Sequence, residues 1–474
     1  DLHYPLRRQR QMCIRDSDNP QSPSYPALPF LSRNIEPGEG GSPFNVPVVW
    51  YGRPLGSEFK SPHSPKDIEQ FNFNYSLSFL INQKTDAEIS ITKSEHSNNH
   101  FRPDIIDSRF LAAIKGNGGP SGNQTWNIFD SNQNSQSLID FVRGAEVSSK
   151  IADLTSLNGI FNTEIRGLGL AYGFQLNRES LDINYDEISR AEFDKDGKLL
   201  KTADLFFLGG GINLSKSRNS NAIFFELEKN AYENLDIRLA ARYESMKNES
   251  SFDPKISFKY MVSDLFTIRF SKGTAFSSPS MAQMFSSEIN LGSVRDISSS
   301  VFVRQASIGN PNLKPATSNN SNLGLIFQKN SLRLSFDIWE IDYEDRIEVE
   351  SAQAILSSNP NGSSITRNEF GDLIGVTTTY FNEDNTLIRG MDIQIQYLIE
   401  LIKGEVSINI MGTNLSDFKT PSLTDPNLMI NRVGKFNFDS HTFSLPKKRL
   451  NSFISWDFNN YSLSLNSRLS LIHI

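Results

Sequence analysis

NAIFFELEKNAYENLDIRLAARYE, residues 221–244, reads as two strands joined by a tight turn. In its second half Leu235, Ile237, Leu239, Ala241 and Tyr243 alternate with Asp236, Arg238, Ala240, Arg242 and Glu244. One face is apolar and the other largely charged. Residues 252–276 repeat the plan, with Phe266, Ile268 and Phe270 alternating with Thr267, Arg269 and Ser271. Period-two alternation over long strands puts one face in an apolar medium and the other in a polar one. A soluble sandwich also gives that pattern, so the connections decide. The joins at 229–234 and 262–265 are tight, whereas the links at the opposite strand ends are long and polar. Short and long connections taking turns are the signature of a transmembrane β-barrel.

Working outward, five further hairpins follow the same plan: 71–82 with 87–96, 157–165 with 168–179, 319–328 with 332–346, 388–398 with 405–418, and 450–458 with 461–469. Seven hairpins make fourteen strands. The polar links between the last three hairpins run to roughly 30–45 residues, far longer than compact domains carry unless the loops are functional. An earlier link turns at 194–197, and the stretch from about 97 to 156 reads as another. Residues 18–70 hold seven prolines between Pro20 and Pro47 and read as a long irregular loop. In the better strands Met391, Ile393, Ile395 and Tyr397 are expected to face lipid, with Asp392, Gln394 and Gln396 toward the lumen. Strand 332–346 breaks phase, because Leu334, Phe336 and Ile338 alternate on one face but Trp339, Ile341 and Tyr343 on the other. A bulge would account for this, and so would a strand that leaves the membrane partway.

Composition agrees. The 474 residues are 38% hydrophobic, with 34 Phe against 4 Trp, and no run approaches the length of a membrane-spanning helix. A net charge of −7 and the lack of a basic stripe argue against nucleic acid. Cys13 is the only cysteine, which excludes an internal disulfide and a multi-cysteine metal site. No phosphate loop, zinc motif or nucleophile elbow is present, so neither an enzyme nor a cofactor is expected. His96 and His100 have the spacing of a helical metal pair but sit in polar sequence without helical periodicity, and read as loop residues. The acidic pairs Glu344 with Asp345 and Glu383 with Asp384 read as solvated loop charge.

Several stretches resemble the barrel of TonB-dependent outer-membrane receptors. They are 221–244 with its Arg242–Tyr243 ending, 270–281 (FSKGTAFSSPSM), 309–325 (GNPNLKPATSNNSNLGL), 388–392 (IRGMD) and 445–451 (LPKKRLN). Residues 126–129 (WNIF) resemble it more faintly. In 309–315 the prolines hold Asn310 and Lys314 extended or turned, which suits a loop descending into a strand; ligand contact is the alternative. Gly390 within a strand suits close packing or a bulge.

The resemblance implies an all-β, transmembrane antiparallel barrel. About fourteen strands of a 22-stranded wall are expected here, without the plug domain that fills the lumen in that class. It implies active uptake of a scarce nutrient such as a ferric siderophore, in the outer membrane of a Gram-negative bacterium. The partners implied are membrane lipid, a small nutrient ligand and an inner-membrane TonB-type energy-transducing complex. A passive porin-like barrel is the alternative, and a secreted all-β enzyme or adhesin a remoter one. Asp236, Arg238, Arg242, Glu244 and Arg269 are the candidate lumen-facing charges, either solvating a water-filled interior or meeting a plug or substrate. Residues 12–17 (MCIRDS) and 469–474 (LSLIHI) resemble translated library-adapter sequence. Residues 1–17 and 469–474 are therefore expected to be a non-native leader and tail around a partial barrel at 18–468.

Overall fold

The computed structural model describes residues 32–52, 54–55, 64–194, 197–246, 249–297, 299–402, 404–422, 427–435, 437 and 444–471. The expected leader at 1–17, with Cys13, lies outside them.

Fourteen long strands form the wall. They are β1 (Lys66–Asn82), β2 (Thr85–Ile105), β3 (Arg143–Ile165), β4 (Leu168–Tyr185), β5 (Leu214–Tyr232), β6 (Leu235–Met246) and β7 (Glu249–Met261). The second seven are β8 (Phe266–Ser277), β9 (Ala316–Lys329), β10 (Leu332–Val349), β11 (Leu373–Leu401), β12 (Gly404–Pro421), β13 (Lys448–Phe458) and β14 (Tyr461–Leu471). Each pairs antiparallel with the next, so the barrel is a simple meander. β14 and β1 flank its seam; no register pair joins them among the described residues, and both are exposed throughout. Leu469, Ser470 and Leu471 continue the ladder with β13 in register.

Turn chemistry sets the short ends. Arg166 and Gly167 both have positive φ, as do Asn330 and Asn459, the conformation that two-residue hairpin turns need. At the other ends the strands overshoot their expected limits. β2 runs to Ile105 rather than His96, and β3 begins at Arg143 rather than Leu157.

The apolar face is exposed around the wall: Phe71, Phe73, Tyr75 and Leu77 on β1, Leu323 and Leu325 on β9, Met391 and Ile393 on β11. A soluble protein would bury so continuous a patch. An apolar outer band of this kind is the pattern of a transmembrane β-barrel.

The phase break in β10 is not a bulge. Its register with β9 runs unbroken from Leu332 to Glu344, and Trp339 faces Gly390 of β11 directly. On the outer face, Phe336 and Ile338 are followed by Glu340, which accepts a 2.6 Å hydrogen bond from Arg389. The strand simply passes out of the apolar band. On the other face Trp339 Nε1 donates to Asp392 at 2.9 Å, and Thr413 donates to the second oxygen of Asp392 at 2.8 Å. A methyl at Gly390 would run into the Trp339 ring, and the ladder with β12 shifts between Arg389 and Gly390. Close packing and a bulge therefore meet at one glycine.

The long links fold together at the far end from the tight turns. Arg33–Ile35 pairs with Val48–Trp50, so part of the stretch expected to be irregular loop is ordered. Between β2 and β3 lie helices α1 (Asp107–Ile114) and α2 (Gln136–Val142), the latter capped by Ser135. Phe110 packs edge-on against Phe206 at 5.5 Å and Trp126 at 5.8 Å, within a core that also takes Ile35, Leu55 and Leu138. Helix α3 (Met281–Phe285) starts on a capping box of Ser280 and Gln283. A hairpin of Ser287–Asp296 and Ser299–Ile308 lays its second strand parallel to the upper part of β11, beside helix α4 (Ala352–Ser358). These pieces form a cap over the loop side of the wall.

Two substitutions test this arrangement. Leu239→Arg, in the middle of the apolar face of β6, should destabilise the barrel by about 2–4 kcal/mol in urea titrations in lipid vesicles. Arg238→Ala, one residue away on the polar face, should cost under about 1 kcal/mol. Gly390→Ala should displace the Trp339 ring, costing about 1–3 kcal/mol and altering the near-ultraviolet circular dichroism.

Candidate functional site

Beyond the apolar band the wall strands continue into the cap, and there their polar face changes character. On β2 the alternation His96, Asn98, His100, Arg102 continues past the point where the outer face turns polar at Lys93 and Glu95. Register aligns Lys66 of β1, His100 of β2, Ser148 of β3 and Tyr185 of β4 in one lateral row. Arg102 and Glu146 form the row on one side of it, and Asn98 with Lys150 the row on the other. Opposite stand Phe207 and Gly210, then Glu288, Ile289 and Leu291 of the loop hairpin, with Phe302 from its second strand. Together they enclose a cavity of about 650 Å³.

One ion pair and one hydrogen bond tie the two walls together. Lys150 Nζ meets Glu288 at 2.6 Å, and Arg102 meets Glu146 at 3.1 Å. The other oxygen of Glu146 accepts the Gly210 N–H at 3.1 Å. Burial alone would raise the Glu288 carboxyl, but Lys150 and Asn290 bring it below its ordinary value. Burial, with the carboxylates of Glu288 and Glu146, raises the Tyr185 phenol well above its ordinary range. His100 is lowered, first by burial and then by the positive charges of Arg102, Lys66 and Lys150.

The segment behind Phe207 is clamped from both sides. Asp104 accepts the N–H groups of Phe207 at 3.0 Å and Leu208 at 2.7 Å. Arg304 donates to the carbonyls of Leu205, Phe206 and Phe207 at 3.1–3.3 Å. Asp104 is buried, and this raises its carboxyl from 3.8 to about 7 despite those N–H bonds and Arg304.

Of the five charges singled out in the sequence, Asp236, Arg238 and Arg269 lie toward the tight turns, and Arg242 and Glu244 toward the opposite end of β6. Arg242 and Glu244 are paired at 2.6 Å, Arg242 also reaches Gln175 at 2.8 Å, and both line a cavity of about 560 Å³. Asp236, Arg238 and Arg269 line another of about 610 Å³. Asp236 pairs with Lys259 at 3.3 Å, and Arg238 with Glu226 and Glu228 at 3.0 and 2.9 Å. Arg269 grips Asp337 bidentately at 3.0 and 2.6 Å across Gly324, where a methyl would strike both side chains. None of the five lines the cavity under the cap.

The other motifs find structural partners. Asn310 donates to the Tyr380 carbonyl at 2.8 Å, Lys314 and Asn382 exchange two 2.9 Å bonds, and Leu313 is buried. That favours the turn reading of 309–315. His96 and His100 lie on strand β2, not in a loop, with Gln70 and Ser64 as respective neighbours, and the described residues hold no metal-binding group. Glu383 sits on β11, where it accepts from Arg346 and Thr386. Lys66, His100, Arg102, Lys150 and Tyr185 were missed because the expected strands stopped short of them. The alternation through 96–102 was the available signal.

A family model described as TonB dependent receptor-like, beta-barrel matches residues 15–471. This chain belongs to that family. Its members are receptors and transporters, not enzymes. A curated relative, the probable TonB-dependent siderophore receptor PirA of Acinetobacter baumannii, is 26% identical over 165 residues, 34% of this chain and 21% of that protein. The crystal structure of the siderophore receptor PirA from Acinetobacter baumannii has a TM-score of 0.53 at 16% identity, covering 86% of this chain and 52% of that one. A ferric enterobactin receptor mutant from Pseudomonas aeruginosa, PfeA in complex with enterobactin, has a TM-score of 0.51 at 12% identity, covering 88% and 60%. The chain thus spans about half the length of the solved PirA.

Asp104 makes the cap pH-sensitive. Its folded value lies above its ordinary one, so its contribution to stability is full below about 4 and is lost as pH rises through about 7. Hydrogen exchange of peptides covering 202–211, corrected for intrinsic rate, should show weaker protection at about pH 8 than at about pH 5. Asp104→Asn should flatten that difference.

Proposed function

We propose that this chain is the wall and cap of an outer-membrane, TonB-dependent active transporter for a scarce nutrient, a ferric siderophore being the best-supported class. The family match carries the reading, and the likeness of the fold to two siderophore receptors supports it. In this reading the cap captures the ligand, and the polar face carrying Asp236, Arg238, Arg242, Glu244 and Arg269 lines the path through the lumen. Arg242 pairs with Glu244, and the other three pair with opposite charges on nearby strands, which leaves a hydrated, nearly neutral lining. Lipid surrounds the apolar face, and an inner-membrane complex supplies the work. A passive pore would gain nothing from a packed cluster of aromatic residues over one end of its wall.

The gene encoding this chain, expressed in a Gram-negative host stripped of its own iron-chelate receptors, should restore uptake of radioactive iron from at least one ferric siderophore. That uptake should stop when the proton-motive force is collapsed. Uptake that continues without it would mean a passive pore.

A further inference from the structure

The hairpin ahead of the wall, Arg33–Ile35 with Val48–Trp50, is a two-stranded sheet that pairs with no barrel strand among the described residues. Alternation puts Arg33, Ile35, Val48 and Trp50 on one face and Asn34 and Val49 on the other. The first face lies on the aromatic core of the cap: Ile35 is fully buried, and the Trp50 ring sits 5.9 Å from Phe110 and 6.3 Å from Phe206. Arg33 pairs with Asp107 at the start of α1 and lays its guanidinium over the Phe206 ring at 4.8 Å. From the other face Asn34 donates to Glu369, in the link before β11, at 2.6 Å. The Gly40 N–H donates to the Ile114 carbonyl and the Gly40 carbonyl accepts from the Ile128 N–H, both at 2.9 Å. One short hairpin thus clasps two links far apart in the chain. Phe206 takes its ring contacts, and the next residue, Phe207, lines the cavity, so the hairpin braces one cavity wall from behind.

We propose that residues 33–50 are a latch: the hairpin lifts from the cap as a unit when Arg33 leaves Asp107 and Phe206, and its lifting frees segment 205–208 to move off the barrel wall and open the cavity. Elements that bury little apolar surface and are fastened by few bonds open at the lowest free energy. This hairpin fits that description, since Phe44, Val46, Val49 and Tyr51 are exposed and its polar fastenings gather at Arg33, Asn34 and Gly40. The barrel loses no ladder bond when the hairpin leaves, because the hairpin pairs only within itself among the described residues. The latch depends neither on what the cavity binds nor on the transport reading.

The test uses the full chain in lipid nanodiscs with Cys13→Ser and Leu291→Cys, which places the only thiol in the cavity lining on the loop hairpin. The rate of labelling by N-ethylmaleimide then reports how often the cavity opens. Arg33→Gln should raise that rate about tenfold or more, the size of one net charge-assisted hydrogen bond. Glu369→Ala should raise it several-fold. Arg33→Lys, which keeps the charge but loses the flat stack on Phe206, should fall between the parent and Arg33→Gln. Arg238→Gln, remote from the hairpin, should change nothing. Hydrogen exchange in Arg33→Gln should quicken in peptides covering 33–50, 107–114 and 203–208, and stay unchanged in β2–β4 and in the hairpin 287–308. Unchanged labelling would overturn the proposal, since the hairpin would then not guard the cavity. Faster labelling with equally faster exchange across 287–308 and helix α4 would also overturn it, since the cap would then melt as one body. If Arg33→Gln fails to assemble, Arg33→Lys and Glu369→Ala decide by the same two readings.

Discussion

A strand in contact with hydrocarbon has no water to satisfy its backbone, so every N–H and C=O must be answered by a neighbouring strand. That requirement governs this molecule more than any side-chain contact. It demands a continuous antiparallel meander, one apolar outer face, and short reversals at the end where consecutive strands must stay adjacent. Once those are met, the inner face is free to be polar. Charges such as Arg269 and Asp337 can then bridge over a glycine in the strand between them.

The same requirement explains which parts were legible beforehand. Inside the band the two faces of a strand meet opposite media, and the alternation through Leu235–Tyr243 or Met391–Tyr397 is sharp. The tight turn at Asn459 was equally plain, because asparagine tolerates the positive φ it adopts there better than most residues do. Above the band both faces meet water or protein, and alternation loses its meaning. The strand limits at His96 and Leu157 therefore fell short, and the phase change after Ile338 left two explanations standing that only the unbroken register separates.

The cap was the least legible part, for a different reason. Phe110, Trp126 and Phe206 come from separate links and meet only in the folded molecule. Phe110 and Phe206 each sit in a short apolar run within a long link, the latter in 205–208 (LFFL), so no local window shows which runs meet to form a core. The cavity inherits that opacity, since its strand wall was read as loop and its opposite wall comes from a hairpin that no alternation announced. Arg242 and Glu244, outside that cavity, were visible because they lie on the best-patterned strand.

The overshoot of the strands has an energetic side. β11 runs for 29 residues, whereas about ten suffice to cross a bilayer as a tilted strand. Backbone that would otherwise be a floppy tether is held in a ladder, and its ordering, about 1–2 kcal/mol per residue, is settled during folding. On the receptor reading, an arriving molecule meets a stiff collar, and little of its binding free energy is diverted into freezing the host.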